Sequence, residues 1–207
     1  MKFAFTEEQE DLRREARNVL ANGGWGKDEV AELGFLDRAV LYEEAGRANL
    51  GESLFDESRP REEQLVALSL EAVGIAAKAL ELGVEHAKTR TQFGKPIGTY
   101  QAVSHPLAQT YTDVELSRSL VYWAAWCVAE EDESGSAGGK AAAAAKAFAT
   151  EAAVAACERS IQVHGGIGFT WEHPLHRFYK RAIWLEGFGA RPAELRLEVA
   201  ESLLAGR

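Results

Sequence analysis

The chain has 207 residues, 46% of them hydrophobic, with 32 Asp and Glu against 23 Lys and Arg and a formal net charge of −9. This length and apolar content suffice for a sizeable core, as one large domain or a domain with an extension, while the negative charge opposes nonspecific binding to nucleic acid or to an anionic membrane. No run approaches the ~20 apolar residues that span a bilayer, and the opening MKFAFTEEQEDLRREAR holds no long apolar segment, so the expectation is a soluble cytoplasmic protein with neither nucleic acid nor membrane as a partner.

In chain order, Thr6 and Gln9 have the spacing of a capping box, with Phe5 ahead of them as a hydrophobic staple. They open a helix to about Leu20, which Asn22, Gly23 and Gly24 stop. A short helix from about Asp28 to Leu33 and another from about Asp37 to Asn49 lead to Gly51 and the polar segment from Glu57 to Glu63, the best candidate boundary. The division expected is a shortened N-terminal helical segment, 1–56, and a C-terminal bundle, 57–207. Leu65, Leu68, Ala72, Ile75, Ala79, Leu82 and His86 recur at intervals of three and four, one face of a helix of about 27 residues and ~40 Å that ends near Thr89.

The loop TRTQFGKPIGT follows, in which Gly94, Pro96 and Gly98 preclude helix. Helix resumes at Thr99 or Tyr100 and continues to about Glu131, with Val103, Leu107, Tyr111, Val114, Val121 and Trp123 as core positions and Pro106 in the first turns, where proline costs least. The acidic, glycine-rich EEDESGSAGG is a solvated connection to an alanine-rich helix from Lys140 to His164, whose small side chains permit close packing. Helices from about Pro174 to Leu185 and Pro192 to Leu204 complete the chain. Long helices with short loops predict an all-α, antiparallel bundle without strands or internal repeats. Cys127 and Cys157 fall inside these helices with no CxxC or His spacing, so both read as reduced core thiols.

Several chemistries are excluded by spacing. There are no Glu-x-x-His pairs, and among His86, His105, His164, His173 and His176 the only close pair is His173 and His176, astride Pro174, so no metal site is expected. A nucleophile elbow and a P-loop are absent. Two loops remain that suit one anionic ligand. Arg90 and Lys95 flank the first; Gln162 and the Gly165–Gly166 backbone supply donors at the second, where Gly165, Gly166 and Gly168 interrupt a helix. Arginine forks and free backbone N–H groups suit a diphosphate. The same glycines also read as a helix cap joining two helices, and Arg90 alone as a solvated or salt-bridged side chain.

Arg90-Thr91-Gln92-Phe93-Gly94-Lys95-Pro96-Ile97, followed by Gln101, resembles the signature between the first two helices of the C-terminal helical domain of the flavin-dependent acyl-CoA dehydrogenases. Gln162-Val163-His164-Gly165-Gly166-Ile167-Gly168-Phe169 resembles that domain's second signature. The N-terminal FTEEQEDLRREAR is similar to the family's first helix, and EEAGRA, from Glu43 to Ala48, to a later helix of its N-terminal domain. The resemblance is continuous from about Arg61 and patchy before it. It implies a four-helix bundle of the family's C-terminal type beside short N-terminal helices, in a homo-oligomer or a hetero-oligomer with a full-length family member. The motifs would hold the FAD of a neighbouring subunit through Arg90, Gln92, Phe93, Gln101, Gln162, Gly165 and Gly166.

The reaction implied is α,β-dehydrogenation of an acyl-CoA, in fatty acid or steroid side-chain catabolism. A glutamate removes the α-proton while the β-hydride passes to flavin N5, and an electron-transfer flavoprotein takes the electrons. Glu186-Gly187 is the dipeptide expected at the base, which makes Glu186 the catalytic candidate. Counting from Gln162, however, places Gly189 at that position, about 4.5 Å of helix further on, so Glu186 serves only if the preceding loop is shortened. Two departures stand beside this. The segment from Asn49 to Glu63 is too short to encode the family's β-barrel-like middle domain, and the N-terminal helical domain is reduced. The pattern is similar to half-active subunits of mixed-subunit acyl-CoA dehydrogenases, and the alternative is a non-catalytic assembly subunit or a helical remnant without flavin.

Overall fold

The first helix opens as its capping box requires: Thr6 N–H donates to Gln9 Oε1 and Gln9 N–H to Thr6 Oγ1, both at 3.2 Å. The computed structural model describes residues 5–21, 30–50, 54–130 and 137–205. Its long elements are α1 (Glu7–Ala21), α2 (Phe35–Ala48), α3 (Arg61–Thr89), α4 (Gln101–Ala129), α5 (Ala137–His164), α6 (Leu175–Gly187) and α7 (Pro192–Ala205). The expected stop at Asn22 to Gly24, the helix start near Asp28, Gly51 and most of the acidic connection lie outside the described residues.

Helices α3 to α6 alternate in direction, and α5 packs against α3, α4, α6 and α7. Its inward residues are almost all alanine, which brings neighbouring backbones close. The single apolar face expected of α3 is a correction: every residue from Leu65 to Ala77 is buried, because α2, α4, α5 and α6 surround the helix. A second correction concerns α4. Leu107, Val114 and Val121 are buried as expected, but Val103 is half-buried, and Tyr111 and Trp123 are 60% and 39% exposed. The buried places between the three apolar positions belong to Thr110, Ser117 and Ala124. The two hydroxyls are satisfied within the helix, Thr110 donating to Pro106 O at 2.8 Å and Ser117 to Asp113 O at 2.7 Å, so small polar residues fill the narrow interhelical space without leaving a buried donor unpaired.

The N-terminal helices join the bundle by backbone contact and buried charge. A Cβ at Gly46 would sit 2.1 Å from Glu71 O, and one at Gly74 2.0 Å from Glu43 O, so α2 and α3 cross where neither tolerates a side chain. Glu43 and Glu44 are buried on α2. Arg118 and Tyr122 of α4 donate to Glu43 at 2.9 and 2.8 Å, and Arg17 of α1 grips Glu44 with bonds of 2.8 and 2.9 Å. Phe5 packs edge-on against Tyr122 at 4.8 Å and beneath the Arg13 guanidinium at 4.1 Å, joining α1 to α4 where a staple within α1 was expected. Arg181 of α6 donates to Glu71 of α3 at 2.6 and 3.0 Å. One apolar core extends from Ala16 on α1 to Leu195 on α7. No helix among the described residues is long and apolar enough to cross a membrane.

Candidate functional site

Because α4 runs against both α3 and α5, the C-terminal ends of α3 and α5 lie together, and the His86 and His164 rings meet there at 4.3 Å. Each helix is closed by one of the two motifs. Arg90 caps α3, its N–H donating to His86 O at 2.8 Å and its carbonyl accepting from Ile97 N–H at 2.9 Å. The residues between form a hairpin: Thr91–Gln92 pairs antiparallel with Lys95–Pro96, β1 and β2. Phe93 (φ 51°) and Gly94 (φ 81°) form the turn, both left-handed, the geometry that joins tightly twisted strands in two residues. The sequence reading made this an irregular loop, since the strands are two residues long and the turn is Phe-Gly rather than Asn-Gly. A bulky residue at positive φ is strained, and this one is 92% exposed. Tyr100 braces the hairpin: its hydroxyl donates to Gln92 O at 3.2 Å, and Lys95 Nζ lies 4.4 Å over its ring.

At the other helix end, α5 passes into a 3-10 turn, Gly165–Phe169. Gly165 has φ 65°, a conformation that permits the turn to bend away. A Cβ at Gly165 or Gly166 would meet nothing within 4 Å, whereas one at Gly168 would press on Ile161 O at 3.0 Å. The first two glycines therefore front open space and the third packs. Arg90, Gln92, Gln101 and Gln162 are exposed, Gln101 as the first residue of α4, and the Arg90 guanidinium makes no ion pair among the described residues. An open groove of about 380 Å³ runs beneath the hairpin, lined by Ala87, Lys88, Pro96, Thr99, Ser104 and Leu107. Two helix C-termini turn their negative ends toward this corner, so an anion there depends on Arg90 and Lys95 rather than on helix dipoles.

Sequence reasoning missed a histidine cluster at this corner. His164 contacts His173 at 4.4 Å as well as His86, and His176 meets Trp171 edge-on at 4.6 Å. Burial, then neighbouring His164, holds both His86 and His173 below the ordinary value for histidine. The signal was present as residues closing two helix ends, but only folding makes them neighbours. The rings stack rather than converge on a point, and no group of three potential ligands suited to a metal occurs among the described residues.

Glu186 stands elsewhere. It lies half-buried in the last turn of α6 and bears electrostatically on Lys146 of α5, as Glu194 does. Lys146 is fully buried, and its Nζ donates to Ala190 O at 2.7 Å. That bond holds the bend after α6, where Gly189 has φ 76° and Trp184 stacks on Phe188 at 4.2 Å. Burial pushes Lys146 down to about 8, with Glu186 and Glu194 acting the other way. Lys146 precedes His164 by 18 residues of α5, about 27 Å of helix, so Glu186 and the anion corner are far apart along the bundle. A lone lysine in the run AAAAAKAFA was the available sign of this anchor.

Residues 63–191 match the family described as acyl-CoA dehydrogenase, C-terminal domain. The chain is 41% identical over 117 residues to acyl-CoA dehydrogenase IpdE2 of Mycobacterium tuberculosis, covering 56% of this chain and 34% of that protein. It spans about a third of the length of the curated relatives it matches. Butyryl-CoA dehydrogenase from Megasphaera elsdenii superposes with a TM-score of 0.64 at 30% identity, over 70% of this chain and 37% of the other. The structure of PigA with FAD and proline superposes with a TM-score of 0.83 over 98% of this chain and 99% of that one, and at 16% identity it speaks for the fold alone.

Proposed function

Because the chain belongs to the acyl-CoA dehydrogenase family, through the C-terminal domain at residues 63–191, we propose that it is a cytoplasmic flavoprotein subunit serving α,β-dehydrogenation of an acyl-CoA, in an oligomer with itself or with a full-length relative. The observation that carries this reading is the contact of His86 with His164 at 4.3 Å, which draws the two motifs to one end of the bundle. The residues there fit the diphosphate and adenosine half of FAD: an exposed arginine, three exposed glutamines, and turn glycines that front open space. Bound FAD supplies the hydride acceptor. Arg90 would grip the diphosphate, Gln162 and the Gly165–Gly166 N–H groups would donate to it, and Gln92, Phe93 and Gln101 would close over the adenosine side.

The twelve residues between Ala48 and Arg61 are too few for a β domain to wall the flavin ring, so the reading assigns that wall to a neighbouring subunit. Glu186 bears on Lys146, which lies about 27 Å of helix from His164, and in this reading the two serve different cofactors: the corner reaches a neighbour's FAD, and Glu186 takes an α-proton at another site. An electron-transfer flavoprotein is the electron acceptor in this reading.

The test is reconstitution with FAD, alone and with a full-length family member, followed by flavin absorbance after gel filtration. Retention is expected with the partner and is expected to weaken by about tenfold or more in Arg90→Ala, the worth of a charge-assisted hydrogen bond. Unchanged retention in that variant overturns the cofactor assignment. Glu186→Gln should retain flavin and lose turnover; full turnover would remove Glu186 as the base and leave a subunit that only assembles the site.

A further inference from the structure

The backbone dictates where each imidazole of the corner can hold a proton. His164 donates from Nδ1 to Ser160 O at 2.8 Å, which leaves the lone pair of the neutral ring on Nε2. His173 is the reverse: its Nδ1 accepts from Leu175 N–H at 3.3 Å, so the neutral ring carries its proton on Nε2 and gains another only by surrendering that bond. His176 donates Nδ1 to His173 O at 2.7 Å, and its Nε2 is buried without a hydrogen-bond partner among the described residues. His164 and His176 can each take a proton at Nε2 without breaking a bond, but His176 is buried, whereas His164 is half-buried, touches both His86 and His173 and adjoins the Gly165 turn.

The charges around the cluster are of one sign. His86 faces His164 and Arg90 across the end of α3 and α5, and His173 faces His164, His86 and His176. Glu85 and Glu172, the nearest carboxylates in sequence, are exposed, and Lys95 of the hairpin is turned to the Tyr100 ring. A proton added to His86 or His173 meets repulsion from these neighbours. An anion beside Arg90 reverses that balance, and the C-terminal carbonyls of two helices already favour a cation.

We propose that a diphosphate anion bound between Arg90 and the Gly165–Gly166 turn brings one proton with it, held at His164 Nε2, so that occupancy of this end of the bundle is coupled to pH. The proposal rests on the diphosphate reading of the corner. A diphosphate diester keeps a fixed charge near neutrality, so a proton taken up on binding must reside on the protein. The arrangement supplies this positive charge only when the anion arrives.

The probe is ADP-ribose, a diphosphate diester, added to the full chain. Calorimetry in two buffers of unequal ionisation enthalpy should show net proton uptake near neutral pH. Affinity should tighten as pH falls from about 8 to about 6, by at most about tenfold per unit for one coupled proton. The His164 C2–H resonance should titrate at higher pH with the probe bound than without it. Binding without proton uptake or pH dependence overturns this inference and leaves the diphosphate reading intact. Absence of binding throughout that range overturns both. His164→Gln should abolish the pH dependence while Arg90-dependent binding persists, and retention of the full dependence would remove His164 as the acceptor. The wild-type measurements decide the matter even where that variant does not fold.

Discussion

Lys146 heads the fully buried side chains of the described residues by size, and its single hydrogen bond, to Ala190 O, ties α5 to the bend that carries Glu186. Its value falls from 10.5 to about 8, which corresponds to about 3 kcal/mol of cost while the amine is charged. A depressed lysine binds its proton less tightly folded than unfolded, so the cost is full below about pH 8 and is relieved as pH rises toward 10.5. Urea unfolding at a series of pH values is therefore expected to show wild type gaining stability relative to Lys146→Met across that window. A flat difference would mean that the amine holds its proton in the fold as tightly as in the unfolded chain. At Gly74 the argument is steric. Its absent Cβ lies 2.0 Å from backbone carbonyl Glu43 O, which cannot rotate aside, so Gly74→Ala should lose about 2 kcal/mol or more, read from the unfolding midpoint.

At the scale of elements, the hairpin separates stability from binding. Phe93 is 92% exposed at positive φ, so Phe93→Ala should leave the thermal midpoint unchanged, within about 0.5 kcal/mol, while flavin retention with the partner falls. A change in midpoint with normal retention would make Phe93 a folding residue. The helices themselves were legible: the Thr6 and Gln9 cap, the extent of α3 to Thr89 and the glycine stop after His164 are local signals that the structure repeats, although the single apolar face expected of α3 is not. The core of α4 was less so. Hydrophobicity favoured Tyr111 and Trp123, but the helix turns Thr110, Ser117 and Ala124 inward, because the space against α5 admits only small side chains. The hairpin escaped because two-residue strands carry no period.

For the whole molecule, the histidine corner gives stability a pH dependence. His86 and His173 sit below their ordinary 6.5 in the fold, so the unfolded chain takes up protons first as acidity rises. Stability is then full above about pH 6.5 and declines as pH falls through the folded values. The thermal midpoint should drop between about pH 7 and about pH 5.5, before ordinary carboxylates titrate, and His86→Gln with His173→Gln should flatten that drop. Family membership and the helical class lay in the sequence by itself, because both rest on local patterns: helical periodicity, caps, and two motifs of fixed spacing. The sequence alone also named the exposed motif residues, since loops and helix ends declare themselves by composition. Only the tertiary structure decided which ends meet. The alternation of α3, α4 and α5 brings His86 to His164 across more than seventy residues of chain, and the same alternation carries Glu186 away from them toward Lys146. Burial of Lys146, the glycine crossing of α2 and α3, and the protonation of the histidines depend on what lies opposite each side chain, which residue order does not contain.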